Sequence, residues 1–335
     1  MNRLSRPACR LALLCSVVAA VAVAYLLRLA ADDYEATRVR NALIAHAAGS
    51  EAFDWVPPAW PAAFRRERGP TPAVFTQAVQ PMAARGEIGD GWTLARRLAA
   101  HLGSAGGDGT GLKTDTRSAY RSILAGEGGY CADYTQVFNG LAHAAQLDVR
   151  EWGMSFDGYS GEGHAFSEVF ASDLGQWVFV DSFYGFWVRD AATATPLSAL
   201  AFRERLSAAR GEERVDVMPL AADGHAFTSD RKLLDYYRRG ADQFFLYMAN
   251  DVFAYDHHPV VRHLRAFPSS LEQLVSIVLG AHPRILLLQT STNAAAIESL
   301  GALRMKVLFA ASTGCLLGLA AAASGLLCIG GKGEQ

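Results

Sequence analysis

Lysine is scarce in this 335-residue chain. Only Lys113, Lys232, Lys306 and Lys332 stand among its 31 basic residues, and the formal net charge is −2. Nothing in that balance provides the basic surface a nucleic-acid partner would need. Cysteine is nearly as scarce. Cys9, Cys15, Cys315 and Cys328 lie in or beside the apolar ends, so Cys131 is the one thiol in the long middle of the chain. That excludes a disulfide framework there. There is no CxxC pair and no HExxH, which removes the usual zinc patterns. No internal repeat is visible, no cofactor-binding motif appears, and neither a cofactor nor a bound metal is expected. The three histidines of "DHHPVVRH" (256–263) lack metal-ligand spacing and read as a surface cluster.

Charge is missing altogether from two stretches. Residues 11–27, "LALLCSVVAAVAVAYLL", and residues 307–331, "VLFAASTGCLLGLAAAASGLLCIGG", carry none. At 1.5 Å per residue the first spans about 26 Å, enough for a bilayer core if Arg28 snorkels, and the second is longer. Arg3, Arg6 and Arg10 place the N-terminus in the cytoplasm, so the middle of the chain is expected outside it and both termini inside. "AVA" at 22–24 resembles a signal-peptide cleavage site, but the apolar run continues past it, and a retained anchor is expected.

Between these ends the pattern is mixed. Residues 33–48 read as helix, and "DWVPPAWPAAF" (54–64) as a connector that regular helix cannot contain. Leu94, Leu98 and Leu102 have the spacing of an amphipathic helix over 92–102, followed by a glycine-rich loop over 103–111. Tyr134, Val137, Phe138 and Leu141 predict a helix over 131–145. Strands are expected over 147–156, 164–170 and 176–182, with a flexible loop at 157–163 and a turn in "ASDLGQ". Beyond residue 200 the strand signal fades. Residues 231–255 and 270–280 read as helices, and "RILLLQ" (284–289) is too short to span a bilayer. The expected fold class is α+β, with a small antiparallel sheet between two helical regions.

The chemistry gathers around "GEGGYCADYTQVF" (126–138), where a glycine-rich turn opens into a helix at Cys131. A helix start stabilises a thiolate through its free N–H groups and dipole, and a neighbouring imidazolium adds to the effect. His164 begins a strand and Asp181 ends the next. A simple hairpin through "ASDLGQ" brings those two residues across from each other, give or take one position. Singly, each has an ordinary explanation: a packed cysteine, a polar strand end, a turn former. In this order they make a nucleophile, a base and an orienting acid. Glu168 and Arg150 could line a cleft, but each is expected to make a structural ion pair, and the aromatic run "YYRRGADQFFLY" to pack as a helix face.

The segments "GGYCADYTQVFNGLAHAAQLDVREW", "GHAFSEVF" and "WVFVDSFYG" together resemble the transglutaminase-like superfamily. The match covers roughly residues 85–200. The resemblance implies a papain-like core with Cys131 on a central helix and His164 and Asp181 on adjacent antiparallel strands. It implies an acyl-enzyme at Cys131, and an amide or peptide hydrolase or acyl transferase. The Cys131 N–H is one candidate oxyanion donor, and the second is unassigned. The division expected is an anchor or signal peptide (1–31), a helical, proline-rich segment (32–84), the transglutaminase-like core (85–205), a helical region (206–305) and a transmembrane helix (306–335). The expected setting is the bacterial inner membrane with an exported, periplasmic domain and a peptide, protein or glycan-linked amide substrate. The alternative is a non-catalytic transglutaminase-like module in a membrane complex, for example in surface polysaccharide production.

Overall fold

The computed structural model describes residues 5–84, 91–103, 111–208, 214–222, 224–265 and 269–330. Most of the expected loop at 103–111 lies outside them. The chain divides into two units, one of residues 1–43 and 298–335 and the other of residues 44–297.

The first unit is helical. It holds α1 (Ser5–Ala30), most of α2 (Asp33–Ile44) and most of α12 (Ala294–Gly330). Two stretches, Cys9–Leu29 and Ala294–Leu326, are long and apolar enough to cross a bilayer. Their large side chains, among them Leu13, Leu316 and Phe309, are exposed, as lipid-facing residues would be. Small residues meet where the helices touch, and a Cβ built on Gly314 would lie 3.5 Å from that of Ala22.

The second unit is α+β. Its sheet runs β1 (Ala45–Ala48), β8 (Ile285–Leu288), β7 (Phe244–Tyr247), β2 (Val149–Ser155), β3 (Gly163–Ala171), β4 (Gln176–Asp181), β5 (Phe186–Asp190) and β6 (Val215–Pro219). β1 pairs with β8 in parallel and every other pair is antiparallel. The sheet is thus larger than expected, and mixed. β1 occupies the end of the stretch read as helix over 33–48. β7 divides the stretch read as one helix over 231–255, and β6, β7 and β8 all belong to the region expected to be helical. These strands are short and sit inside apolar runs that also fit a helical period, so only pairing with distant partners makes them extended.

Helices cover both faces. α3 (Ala73–Ala83), α4 (Gly91–His101), α5 (Thr116–Leu124), α6 (Cys131–Ala144) and α9 (Val252–His257) enclose one core with the inward side chains Val149, Val169, Val178 and Val180. α7 (Ala199–Ser207) and α8 (Asp230–Gly240) close a second core over Trp152, Phe166, Phe179 and Phe186. α10 (Pro259–Leu264) and α11 (Ser269–Val278) complete the described helices. α6 buries Val137, Phe138 and Leu141 completely, each worth about 1.5–3 kcal/mol of hydrophobic stabilisation. That anchorage fixes where the helix begins, and therefore where Cys131 lies.

Candidate functional site

The turn ahead of α6 needs its glycines. Gly126, Gly128 and Gly129 have φ of 73°, 100° and 139°, backbone that side-chain-bearing residues rarely adopt. A Cβ on Gly129 would also press to 3.2 Å from the Tyr134 ring. Asp133 then caps the helix start, its carboxylate accepting from the N–H of Tyr130 at 2.8 Å and that of Leu112 at 3.1 Å. Burial pushes the Asp133 carboxyl up, against those two hydrogen bonds. Cys131 is the first residue of the helix, half-buried, with a free thiol.

β3 and β4 present the other two groups. Ser167 pairs with Val180 and Val169 with Val178. Continuing that register by one residue sets Phe166 opposite Asp181 and His164 two positions along on the same face. The pair is therefore diagonal rather than directly opposed, still within side-chain reach. The imidazole Nε2 lies 2.7 Å from Asp181 Oδ2, with the two residues 4% and 0% exposed. That contact leaves Nδ1 as the other ring nitrogen, and Cys131 is near enough to act electrostatically on the imidazole.

Asp181 closes a turn as well as a strand. Its Oδ1 accepts from the N–H of Phe183 and of Tyr184, both at 2.9 Å, and its backbone carbonyl accepts from Gly185 at 3.0 Å. Gly185 takes φ of 76° to let the chain enter β5. The Tyr237 hydroxyl donates to Oδ2, the oxygen that also faces His164. Burial alone would push the imidazole down. The nearby Asp181 carboxylate and Cys131 outweigh it and push His164 up to about 10.

Aromatic rings enclose the imidazole. Tyr184 stacks on it at 4.7 Å between centroids and 27° between planes. Phe183, Tyr236 and Tyr237 each approach to 5.8 Å at steeper angles. The stacked face of Tyr184 favours an imidazolium. Burial pushes the hydroxyls of Tyr184 and Tyr236 up, so both stay neutral and able to donate.

No protein-family model, curated protein or solved structure matches the chain. A functional reading therefore rests on the geometry of this site.

Other polar groups have structural partners. Arg150 meets Glu168 at 2.6 Å and donates to the Phe53 carbonyl, with its guanidinium 4.3 Å from the centre of the Trp177 ring. Glu168 also accepts from the Ala199 N–H at 2.6 Å and from the Trp152 indole. That network is buried and ties β2, β3 and α7 together, away from the thiol. In the late histidine cluster, His257 and His263 turn Nδ1 toward carbonyls of their own helices, Phe253 and Pro259. Among the described residues no group of His, Cys, Asp and Glu is arranged to hold a metal ion.

A cavity of about 360 Å³ lies behind the first turns of α6, lined by Asp133, Gln136, Glu151 and Asp251 among others. Glu151 is buried there and accepts from Gln136 at 2.5 Å. Burial and the nearby Asp251 push its carboxyl up to about 8. Cys131, His164 and Asp181 are not among its lining residues.

The structure thus brings all three residues singled out in the sequence to one place. Sequence reasoning missed Tyr184, Tyr236 and Tyr237. The two adjacent tyrosines at 236–237 were the only available signal, and a packed helix face accounts for them equally well.

Proposed function

We propose that this chain is a membrane-anchored thiol enzyme with a papain-like core of the transglutaminase-like kind, acting on an amide or peptide bond in the cell envelope. One observation carries the reading: a single buried imidazole, His164, is bound to the Asp181 carboxylate within electrostatic reach of the Cys131 thiol at the start of α6. A free cysteine that only packs has no use for such a pair.

The thiol passes its proton to His164 Nδ1, and the sulfur attacks the carbonyl carbon. The oxyanion that forms is stabilised by the Cys131 backbone N–H at the helix start. As the carbon–nitrogen bond breaks, His164 returns the proton to the leaving nitrogen, leaving a thioester on Cys131. Water or an amine then attacks the thioester and gives a proton to His164, and the sulfur leaves as thiolate. Asp181 holds the ring in the tautomer that has Nε2–H and a basic Nδ1. Hydrolysis is favoured over transfer because water is always at hand and no amine site is evident. The substrate class is a peptide, protein or glycan-linked amide.

The two apolar helices support a place in the bacterial inner membrane, and Arg3, Arg6 and Arg10 at the start of the chain support an exported domain between them. The test is covalent capture. The full chain is incubated with envelope extract and Cys131 is examined by mass spectrometry. A hydroxylamine-labile adduct on Cys131, absent from Cys131→Ala, supports the reading. No adduct under any extract or pH would count against it.

A further inference from the structure

We propose that Tyr237 is a positioning residue of this site, and that α8 belongs to the functional unit rather than to a flanking helical region. The inference rests on the reading of Cys131, His164 and Asp181 as a catalytic set. α8 follows β6 and lies outside the three sequence segments that carry that reading. Its apolar side nevertheless turns Leu233, Leu234 and Tyr237 into the second core, and Tyr237 is completely buried there. The ring packs edge-on against Phe179, Phe186 and His164. Only its hydroxyl is polar, and it donates to Asp181 Oδ2.

Asp181 then holds four hydrogen bonds: two backbone N–H groups on Oδ1, and the Tyr237 hydroxyl and the His164 ring on Oδ2. That matches the acceptor capacity of a carboxylate. Two consequences follow. The carboxylate cannot rotate without breaking buried hydrogen bonds, so the imidazole is held in one orientation. The Tyr237 hydroxyl also competes with His164 for the same oxygen, which weakens the hold of that oxygen on the ring proton. A ring gripped too firmly would not return its proton to a leaving group. Burial, then the nearby Asp181 and their hydrogen bond, push the Tyr237 hydroxyl well up, so it stays a donor across the working range of pH.

The neighbours on α8 serve the same end. Tyr236 lies edge-on to the imidazole and to Tyr184, which closes the stack over the ring. Asp230 near the start of the helix faces His225 at 2.9 Å, and Arg238 pairs with Asp235 at 2.5 Å, so these charged side chains have partners of their own. Among the described residues, the charged and titratable groups that face His164 are Asp181, Cys131 and the three tyrosines.

The experiment is a nitrogen-15 histidine titration of the full chain in detergent, read in a Cys131→Ala background so that no thiolate contributes. His164 is assigned by its loss in His164→Gln. Tyr237→Phe removes the competing donor and should move the His164 midpoint up by about one pH unit. A ring-fluorinated tyrosine at 237, a stronger donor of nearly the same shape, should move it down. That second variant carries the test if Tyr237→Phe does not fold. A midpoint unmoved in the folded variants would reduce Tyr237 to a packing residue and overturn the inference. The titration needs neither thiol nor substrate. The two failures are thus distinguishable: an unmoved midpoint overturns the inference and leaves the enzyme reading intact, whereas a failure to find any acyl-enzyme removes the catalytic set on which the inference rests, even where the midpoint moves.

Discussion

The Nε2 of His164 lies 2.7 Å from Oδ2 of Asp181, and both side chains are sealed from solvent. The contact crosses the β3–β4 hairpin on a diagonal, and Asp181 is held from its other side by the turn into β5 and by α8. A pair so buried and so fully bonded fixes which ring nitrogen is available to the thiol.

Asp181→Asn should reverse that choice. Backbone donors keep Oδ1 occupied, so the new amide nitrogen would face the ring and favour the tautomer with Nδ1–H. His164 could then no longer take the thiol proton. Acylation of Cys131 by an activated ester such as p-nitrophenyl acetate should slow by about 100-fold or more in the folded variant. Stopped-flow measurement of the acylation burst checks it. An unchanged burst would mean that the ring is not held as described.

Glu151 gives a pH dependence whose sign can be worked out. Its folded-state value of about 8 stands above the ordinary 4.5, so between those limits the folded protein binds more protons than the unfolded. Stability attributable to this group is present below that window and falls as pH rises through it, by up to about 1.4 kcal/mol per pH unit. Glu151→Gln keeps the shape and removes the titration. Compared with wild type, it should gain in denaturation midpoint as pH rises from 5 to 8, as measured by chemical denaturation (both limits approximate). A constant difference across that range would contradict the prediction.

The proposed membrane topology rests on the two apolar helices and on Arg3, Arg6 and Arg10 at the start of the chain. A reporter fused near residue 240 should be active only in a form that requires export, and the mature chain should keep its first span. Cytoplasmic activity at that point would overturn the orientation. Mature protein beginning at Tyr25 would show that the span is a cleaved signal.

Some of this was legible in the sequence because the determinants are local. Glycines at 126, 128 and 129 announce a tight turn, and the spacing of Tyr134, Val137, Phe138 and Leu141 announces the helix that Cys131 begins. The aromatic and β-branched residues of 164–170 and 176–182 announce a hairpin, and counting back from its turn places His164 near Asp181, though the observed register sets it two residues off the directly opposed position. What stayed hidden is long-range. β1 and β8 pair over a separation of some 240 residues, from Ala45 to Ile285, with nothing local to mark either as a strand. β7 follows α8 after only three residues, so its aromatics extend the helical pattern. Tyr237 matters through an oxygen 56 residues away, and Glu151 through a cavity that forms only when α6, β2 and the segment after β7 close on one another.

The most direct test of the central claim is the rate at which iodoacetamide alkylates Cys131 in the full chain across pH, in wild type and in His164→Ala. If the imidazole takes the thiol proton, wild type should react at least about tenfold faster at pH ~6.5, and the two rates should converge as pH approaches ~9.5, where any free thiol ionises. Equal rates at every pH, in a His164→Ala protein shown to be folded, would contradict the account and leave Cys131 an ordinary thiol at a helix start.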